Sequence, residues 1–574
     1  MNNVFKKLLV DNSPKFNKEV TDGVVKDIFR TIPAFLDDII KSSIKSLNND
    51  IDLQYLGYRR MNPQEEYNMM YGSKKNAVMY DIAMSDMYMI ELRFTYDGVA
   101  MNRHLYLPYS RSGNIMITSG TKYHVIPVLS DTVISPSHRE VFVRLLKDKL
   151  TFTSMTKNFV VDGVKTPGEV IHSQILRVNK NQITDNIGKP LLSPALYICA
   201  AYGLKEAMMI YCGTTDIIVT TGDSVDPKTG EVTSLITDEM KEKYTIYEST
   251  KMKPRGLKEY VYTPHHVKIL VPKSIKNKNL VDNFMFGLIY TLDILPEHAD
   301  DFIDIWDSKD VEQEKIYWKV LIGRISYKNS FSIDRMAGDV MDHFNALEGY
   351  IDNLIKGKLA DSGIYVNNFF DLLANILTNY NMLLINSREY NSDINNRYLD
   401  VLYYILYDVI VGFNKILLGL NKRVGKKKIS MEEIVKLWTD ELSTKVLYRL
   451  VSSSKMSLAI QSVDNTTDVK YYKVTSLLTD QSTGLGVRRG GKTPFPENTR
   501  TLRSDDILFG TMSYLGKTAP TPRFRFNTYV SYNMHSGKIN KPSYLTPTLD
   551  KLSLMLDGRL PEEVEVMESE IPEP

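Results

Sequence analysis

The chain has 574 residues, 43% hydrophobic and 24% charged, so it can bury a sizeable core but is too long for one compact domain. Lys and Arg number 71 against 69 Asp and Glu, a net charge of +2, which excludes a uniformly basic nucleic-acid coat and leaves room for a local basic groove. The two cysteines, Cys199 and Cys212, exclude a disulfide framework and a four-cysteine zinc site, and fit a reducing compartment.

Met1–Val10 carries two lysines and no long apolar stretch, so no secretory leader is expected. Val20–Ile40 has Val24, Ile28, Ile32 and Leu36 at near-helical spacing and is predicted helical. The period then changes. Over Met89–Tyr96, Ile90, Leu92, Phe94 and Tyr96 alternate with Glu91, Arg93 and Thr95, the pattern of a half-buried strand. Short strands come after it at Arg103–Leu107 and Asn114–Thr118, with Ser112-Gly113 and Ser119-Gly120 as turns. This sheet-rich unit is expected to run to about Val160.

A mixed region comes next. Ile217–Thr221 and His266–Val271 read as strands, and Leu280–Leu292, Ala299–Trp306 and Val340–Ile355 as helices. Asp300, Asp301, Asp304 and Asp307 invite a metal-site reading, but a solvated helix face accounts for them more simply. From Asn367 to about Lys422 the pattern is strongly helical. In Tyr398–Leu420, Leu402, Ile405, Leu406, Val409, Phe413, Ile416, Leu417 and Leu420 form one apolar stripe. Asp400, Asp408 and Lys415 interrupt that segment, so no membrane span is expected. The run Lys422, Arg423, Lys426, Lys427 and Lys428 reads as a solvated loop, with phosphate contact as the lesser alternative. Ser430 with Glu433 forms a capping box that opens a further helix.

After Ser452 glycine, proline, serine and threonine accumulate. Between Lys470 and Arg525 stand Lys470, Lys473, Arg488, Arg489, Lys492, Arg500, Arg503, Lys517, Arg523 and Arg525, against Asp480, Glu497, Asp505 and Asp506. That local excess is larger than the net charge of the whole chain. Tyr471, Tyr472, Phe495, Tyr514, Phe524 and Phe526 are interleaved with it, so cations for phosphates and rings for bases occur together. Gly486 through Thr493 matches the P-loop pattern G-x-x-x-x-G-K-[ST] in letters, but Pro494 and Pro496 come at once after it. A phosphate-binding loop must feed a helix whose first amides hold the anion. Proline disfavours that geometry and removes donors. The loop is therefore read as a basic, glycine-rich contact to nucleic acid and not as an ATPase motif. The tail after Arg559 is acidic.

Several landmarks occur in a fixed order. Ser453-Ser-Lys-Met-Ser457, Lys470-Tyr-Tyr-Lys-Val-Thr-Ser-Leu477 and Thr483-Gly-Leu-Gly-Val-Arg-Arg489 resemble the fork region of the bacterial RNA polymerase β subunit. Gly510 and Pro520-Thr-Pro522 through Asn527 resemble the stretch after the fork in that subunit, and Gly537-Lys-Ile-Asn-Lys-Pro542 resembles its glycine-to-proline hairpin still further on. Upstream, Pro108 through Gly120 with Val125-Ile126, then Ser362-Gly-Ile364, then Asp393-Ile-Asn-Asn-Arg397 are similar to earlier landmarks of the same subunit. Departures occur too. Gln461, Lys470 and Thr475 stand where the family's rifampicin pocket has aspartate, histidine and serine, so resistance is expected.

The resemblance implies an α+β, multidomain chain with a β-like protrusion, lobe and fork. The implied divisions are 1–160 and 391–455 for the two protrusion-like parts, 161–390 for a lobe-like insertion, 456–556 for the fork-like basic part, and 557–574 for the acidic tail. It implies the N-terminal component of a divided β subunit, of the kind found in multisubunit RNA polymerases of giant bacteriophages. Its job would be to wall the cleft over DNA and the RNA–DNA hybrid. Lys470, Lys473, Arg488, Arg489, Lys492, Arg500, Arg503, Arg523 and Arg525 would be the nucleic-acid-binding residues. No catalytic or metal residue is expected in this chain, which would be inactive alone; Mg2+ is expected on a β′-like partner. The implied partners are a β C-terminal fragment, β′ fragments, the DNA template, the RNA transcript and a promoter-recognition subunit, with no membrane. The implied location is the cytoplasm of the infected bacterial host, with packaging in the virion left open. Two readings from other classes fit the composition as well: a phage capsid or tail protein, and a stand-alone single-strand-binding protein.

Overall fold

The computed structural model describes residues 28–45, 51–72, 84–109, 115–124, 149–173, 192–221, 232–249, 267–295, 299–326, 350–385, 397–400 and 406–421, with shorter stretches between and after them. The first third holds α1 (Ile28–Ile44), β1 (Leu53–Arg60), α2 (Pro63–Gly72), β2 (Met87–Tyr96), β3 (Val99–Pro108), β4 (Ile115–Thr118), β5 (Thr121–His124), β6 (Val128–Ser130), β7 (Ile134–Pro136), β8 (Glu140–Arg144), β9 (Lys149–Val161) and β10 (Val164–Ser173). The middle holds α3 (Pro194–Tyr202), α4 (Leu204–Cys212), β11 (Ile218–Thr220), β12 (Asp223–Val225), β13 (Val232–Ser234), α5 (Asp238–Lys243), β14 (Tyr244–Glu248), β15 (Lys268–Pro272), α6 (Lys278–Ile294), α7 (Ala299–Ser308) and α8 (Val311–Ser326). Then come α9 (Asn353–Asp361), α10 (Phe369–Ile385), β16 (Tyr398–Asp400), α11 (Tyr407–Asn421), β17 (Gln461–Ser462), β18 (Tyr471–Ser476), β19 (Arg523–Asn527), β20 (Ser531–Tyr532) and β21 (Ile539–Asn540). Helices and sheets share the chain, so the class is α+β as expected.

β1, β2 and β3 form an antiparallel sheet. Its β2–β3 turn is Asp97-Gly98, both at positive φ (49° and 74°), the two-residue connection whose twist matches that of paired strands. One face is apolar. Leu92 and Leu105 close over Leu36, Ile39 and Ile40 of α1 and Val409, Ile410 and Phe413 of α11. A helix from beyond residue 400 therefore shares a core with the first sheet, and the Phe94 and Phe413 rings lie 6.5 Å apart.

The other face differs from expectation at Glu91, which is only 6% exposed. Glu91 lies opposite Arg59 on β1 and His104 on β3. Arg59 grips it with two nitrogens at 2.9 and 3.1 Å and holds Glu65 of α2 at 3.0 and 3.1 Å with the third. Glu66 accepts from the Met89 amide at 2.9 Å. Charge and hydrogen bonding thus fasten α2 over this face, where alternation alone predicts water.

Strand structure continues past Val160. β9 and β10 pair along their length about the turn Asp162-Gly163 and belong to a seven-stranded sheet that also takes in β7, β8, β11, β14 and β15. α6 covers the hairpin, with Phe286 stacked on Phe159 at 4.6 Å. α3 is apolar all round and buried from Pro194 to Ala200, as a helix at the centre of a core must be; α6, α8 and α10 pack around it.

α6 approaches the start of α3 so closely that a Cβ on Gly287 would fall on Ser193 Oγ and crowd Ala195 Cβ at 3.2 Å. Ser193 is the N-cap of α3, accepting from the Ala195 amide at 3.3 Å. Gly287→Ala is expected to cost about 2 kcal/mol, combining overpacking with a damaged cap. Thermal unfolding checks this; an unchanged midpoint would mean that the two helices can separate enough to admit a methyl group.

Two predicted helices are corrected. Val340–Ile355 is not one helix: the chain turns at Tyr350, and Asp352 caps the separate α9 by accepting from the Ile355 amide at 2.9 Å. An aspartate competes for free amides better at a helix start than inside one. Tyr398–Leu420 is not one helix either, since Tyr398–Asp400 is a strand and α11 begins at Tyr407. Of the apolar stripe, Leu406, Val409, Phe413, Ile416, Leu417 and Leu420 are all buried, and Leu402 and Ile405 lie outside the described residues. The capping box at Ser430 is present in both directions, each bond 3.3 Å. On α7, Asp301, Asp304 and Asp307 are exposed and Phe302 is buried, the amphipathic arrangement expected. Cys199 is buried and unpaired with Cys212, and burial pushes both thiols up, Cys212 to about 11. No helix among the described residues is long and apolar enough to cross a membrane.

Candidate nucleic-acid interface

β6 is the centre of the interface. It is three residues long, yet it pairs with β16 on one side and β18 on the other, in a sheet ordered β16–β6–β18–β19. The β6–β18 pair is parallel, with Thr475 opposite Val128 and Ser476 opposite Leu129. β16 pairs antiparallel, Leu399 opposite Leu129. Just upstream, β5 pairs with β17, Gln461 opposite His124 and Ser462 opposite Tyr123. One short stretch, 121–130, therefore gathers strands from three distant parts of the chain. Parallel pairing cannot be closed by a tight turn, so it requires such long-range contacts.

The basic residues enter on β18 and β19. These strands are antiparallel, with Lys473 opposite Arg525, Thr475 opposite Arg523 and Tyr471 opposite Asn527. Because a strand alternates faces residue by residue, Lys473, Arg523 and Arg525 share one face of the ribbon. Tyr472, Val474, Phe524 and Phe526 share the other, again as opposed pairs. By register, the basic positions of the ribbon alternate with its aromatic and apolar ones. β19 pairs with β18 alone among the described residues, at the edge of the sheet.

Beyond the ribbon the chain returns to β16. The Leu399 amide donates to the Gly537 carbonyl at 2.7 Å, and Tyr398 bridges to Lys538. Lys538 reaches Asp361 at the end of α9, 4.0 Å away. Lys358 of the same helix is 7% exposed and lies over the Tyr398 ring at 4.8 Å. Gly537-Lys-Ile-Asn-Lys-Pro542, singled out as a hairpin landmark, is in this way fastened to the segment after Asp393-Ile-Asn-Asn-Arg397.

Of the nine predicted nucleic-acid residues, the structure brings Lys473, Arg523 and Arg525 together. Lys470, Arg488, Arg489, Lys492, Arg500 and Arg503 lie outside the described residues, as do the P-loop-like stretch and the acidic tail. Gln461 and Thr475, the two pocket positions that are described, sit on β17 and β18, each paired with the 121–130 stretch. Sequence reasoning missed β6 and β16 as the strands that hold the ribbon. The signal in the sequence is weak: Val128-Leu129 and Tyr398-Leu399 are short apolar pairs of good strand formers, too brief to show a period.

No group of three or more His, Cys, Asp or Glu residues that could hold a metal ion occurs among the described residues. A comparison with curated proteins found no match. The chain does match a protein family described as "Non-virion RNA polymerase subunit", and the match runs over residues 1–488. That span takes in the first sheet, all of the helical middle, α11 and the strands β17 and β18, which is most of the chain. The chain therefore belongs to the non-virion RNA polymerase subunits.

Proposed function

We propose that this RNA polymerase subunit is the β N-terminal component of its enzyme, and that β18 and β19 face the RNA–DNA hybrid or the adjoining DNA. The observation that carries the reading is the β16–β6–β18–β19 sheet. It joins the parts that the order of landmarks assigns to protrusion 1–160, protrusion 391–455 and fork 456–556. The packing of α11 against the first sheet supports the same two-part protrusion. The basic residues would hold backbones without reading sequence. Nucleotidyl transfer would be carried out by the assembly, with Mg2+ held on a β′-like chain. The partners proposed are the chain that carries the rest of β, the β′ fragments, a promoter-recognition subunit, the DNA template and the transcript. The family's description favours the non-virion enzyme working in the cytoplasm of the infected bacterium over one packaged in the virion.

Assembly tests the reading. A tagged copy co-expressed with the remaining polymerase subunits is expected to co-purify with the chain that carries the rest of β, in equal amounts. A monodisperse monomer that ignores the other subunits, or association with a promoter-recognition subunit alone, would overturn the β assignment.

A further inference from the structure

A groove of about 810 Å³ runs between α1, the end of α3, α8 and the starts of α9 and α10. It shares no residue with β18 or β19. Lys41, Lys45, Lys319 and Lys356 line it, against Asp38 and Asp352. Two of these charges are already engaged. Lys41 pairs with Asp37 at 2.6 Å, and Asp352 caps α9. Lys45, Lys319 and Lys356 make no hydrogen bond or ion pair through their ammonium groups among the described residues. Lys319 lies over the face of Phe344, 5.7 Å from the ring centroid, and burial lowers its pKa against the opposing charge of Glu312.

Three lysines lining one groove bring like charges to it, and these repel one another. Their arrangement is accounted for by an anion that arrives from outside. Lysine is a compact point charge suited to phosphate, and Asn353 and Asn367 add neutral amide donors at the same groove, whereas the Ser42 hydroxyl is already donated to the Ile39 carbonyl at 3.0 Å. We propose that this groove binds the phosphate backbone of single-stranded nucleic acid, at a second site on the subunit apart from the β18–β19 ribbon. An acidic peptide would also satisfy the charges, but a strand offers the amide donors its sugar and base acceptors as well as its phosphates, and a polymerase subunit works on nucleic acid.

The test uses the assembled polymerase and a fluorescein-labelled oligo-dT, followed by anisotropy over a salt series. Lys45→Glu with Lys356→Glu is expected to weaken binding about tenfold at low salt and to make the dependence of log affinity on log salt shallower by roughly 1.4, about 0.7 for each lost phosphate contact. Lys45→Arg with Lys356→Arg should retain parent binding. Unchanged affinity and slope in the glutamate variant would overturn the proposal. So would loss of polyglutamate binding with oligo-dT binding intact, which would make the occupant an acidic protein. If the glutamate variant loses thermal stability, photo-crosslinking of 4-thiothymidine oligonucleotide to the parent enzyme decides. Crosslinked peptides from α1 or α9 support the groove, and their absence overturns it. Binding lost in β18–β19 variants alone sinks this groove while leaving the fork reading intact, and the reverse pattern does the opposite.

Discussion

Replacing Lys473, Arg523 and Arg525 together by alanine is expected to lower run-off transcription by the assembled polymerase at least about tenfold at low salt, by removing up to three phosphate contacts. Lys473 stands directly opposite Arg525 in the β18–β19 pair, with Arg523 on the same face. Like charges directly opposite in a sheet destabilise it by a few tenths of a kcal/mol up to about 1 kcal/mol. A fold that keeps them gains something other than stability. The variant should accordingly assemble normally and unfold at the same temperature as the parent or slightly higher. The difference in rate should narrow as salt rises, because screening already weakens the attraction in the parent. Parent-like rates at low salt would leave these residues as surface charge only. A variant that fails to assemble would place the ribbon at a subunit contact.

Glu314→Ala is expected to destabilise the chain by about 3 kcal/mol, whereas Glu314→Gln should be neutral or stabilising at neutral pH. Glu314 is 6% exposed on α8. Its Oε1 accepts from the Leu204 amide at 2.7 Å, at the start of α4, and from Trp318 Nε1 at 3.0 Å. Alanine strands both donors in the core, and Trp318 is fully buried. Glutamine keeps an Oε1 that can accept both bonds without a buried charge. Burial holds the carboxyl above its ordinary range despite the opposing effect of those two hydrogen bonds. A raised folded pKa means that the folded chain binds the proton more tightly than the unfolded chain. The stability this brings is fully present below the unfolded pKa and is lost as pH rises through the folded one. The stability difference between the glutamine variant and the parent should thus grow in the variant's favour from acidic towards neutral pH. Thermal or urea unfolding of the two proteins over that range measures it. A constant difference would show that the carboxyl titrates as it does in water.

Local features of this protein were legible without coordinates. Met89–Tyr96 alternates because one face of β2 meets a core, and a period of two shows itself within a few residues. Ser430 and Glu433 announce a cap because both partners lie within one turn. The stripe from Leu406 to Leu420 marks a buried helix face wherever the helix starts. The basic and aromatic residues around β18 and β19 also stand out by type, although their pairing does not.

Only the tertiary structure decided which of those features meet. Tyr398–Asp400 lies beside a strongly helical run, yet it extends to pair with Val128–Ser130, far away in sequence. Glu91 stands on the polar side of the alternating strand, yet it is buried because Arg59 arrives from the neighbouring strand, and Glu314 is buried against the Leu204 amide of α4. The facing of Lys473 and Arg525 depends on the register of two strands well separated along the chain, and Lys45, Lys319 and Lys356 of the groove come from just past α1, from α8 and from α9. The physical reason is the same in each case. Propensity, alternation and capping act within a turn or a pleat, whereas the burial of a charge or the pairing of a three-residue strand is set by non-local contacts, whose energy a local pattern does not carry.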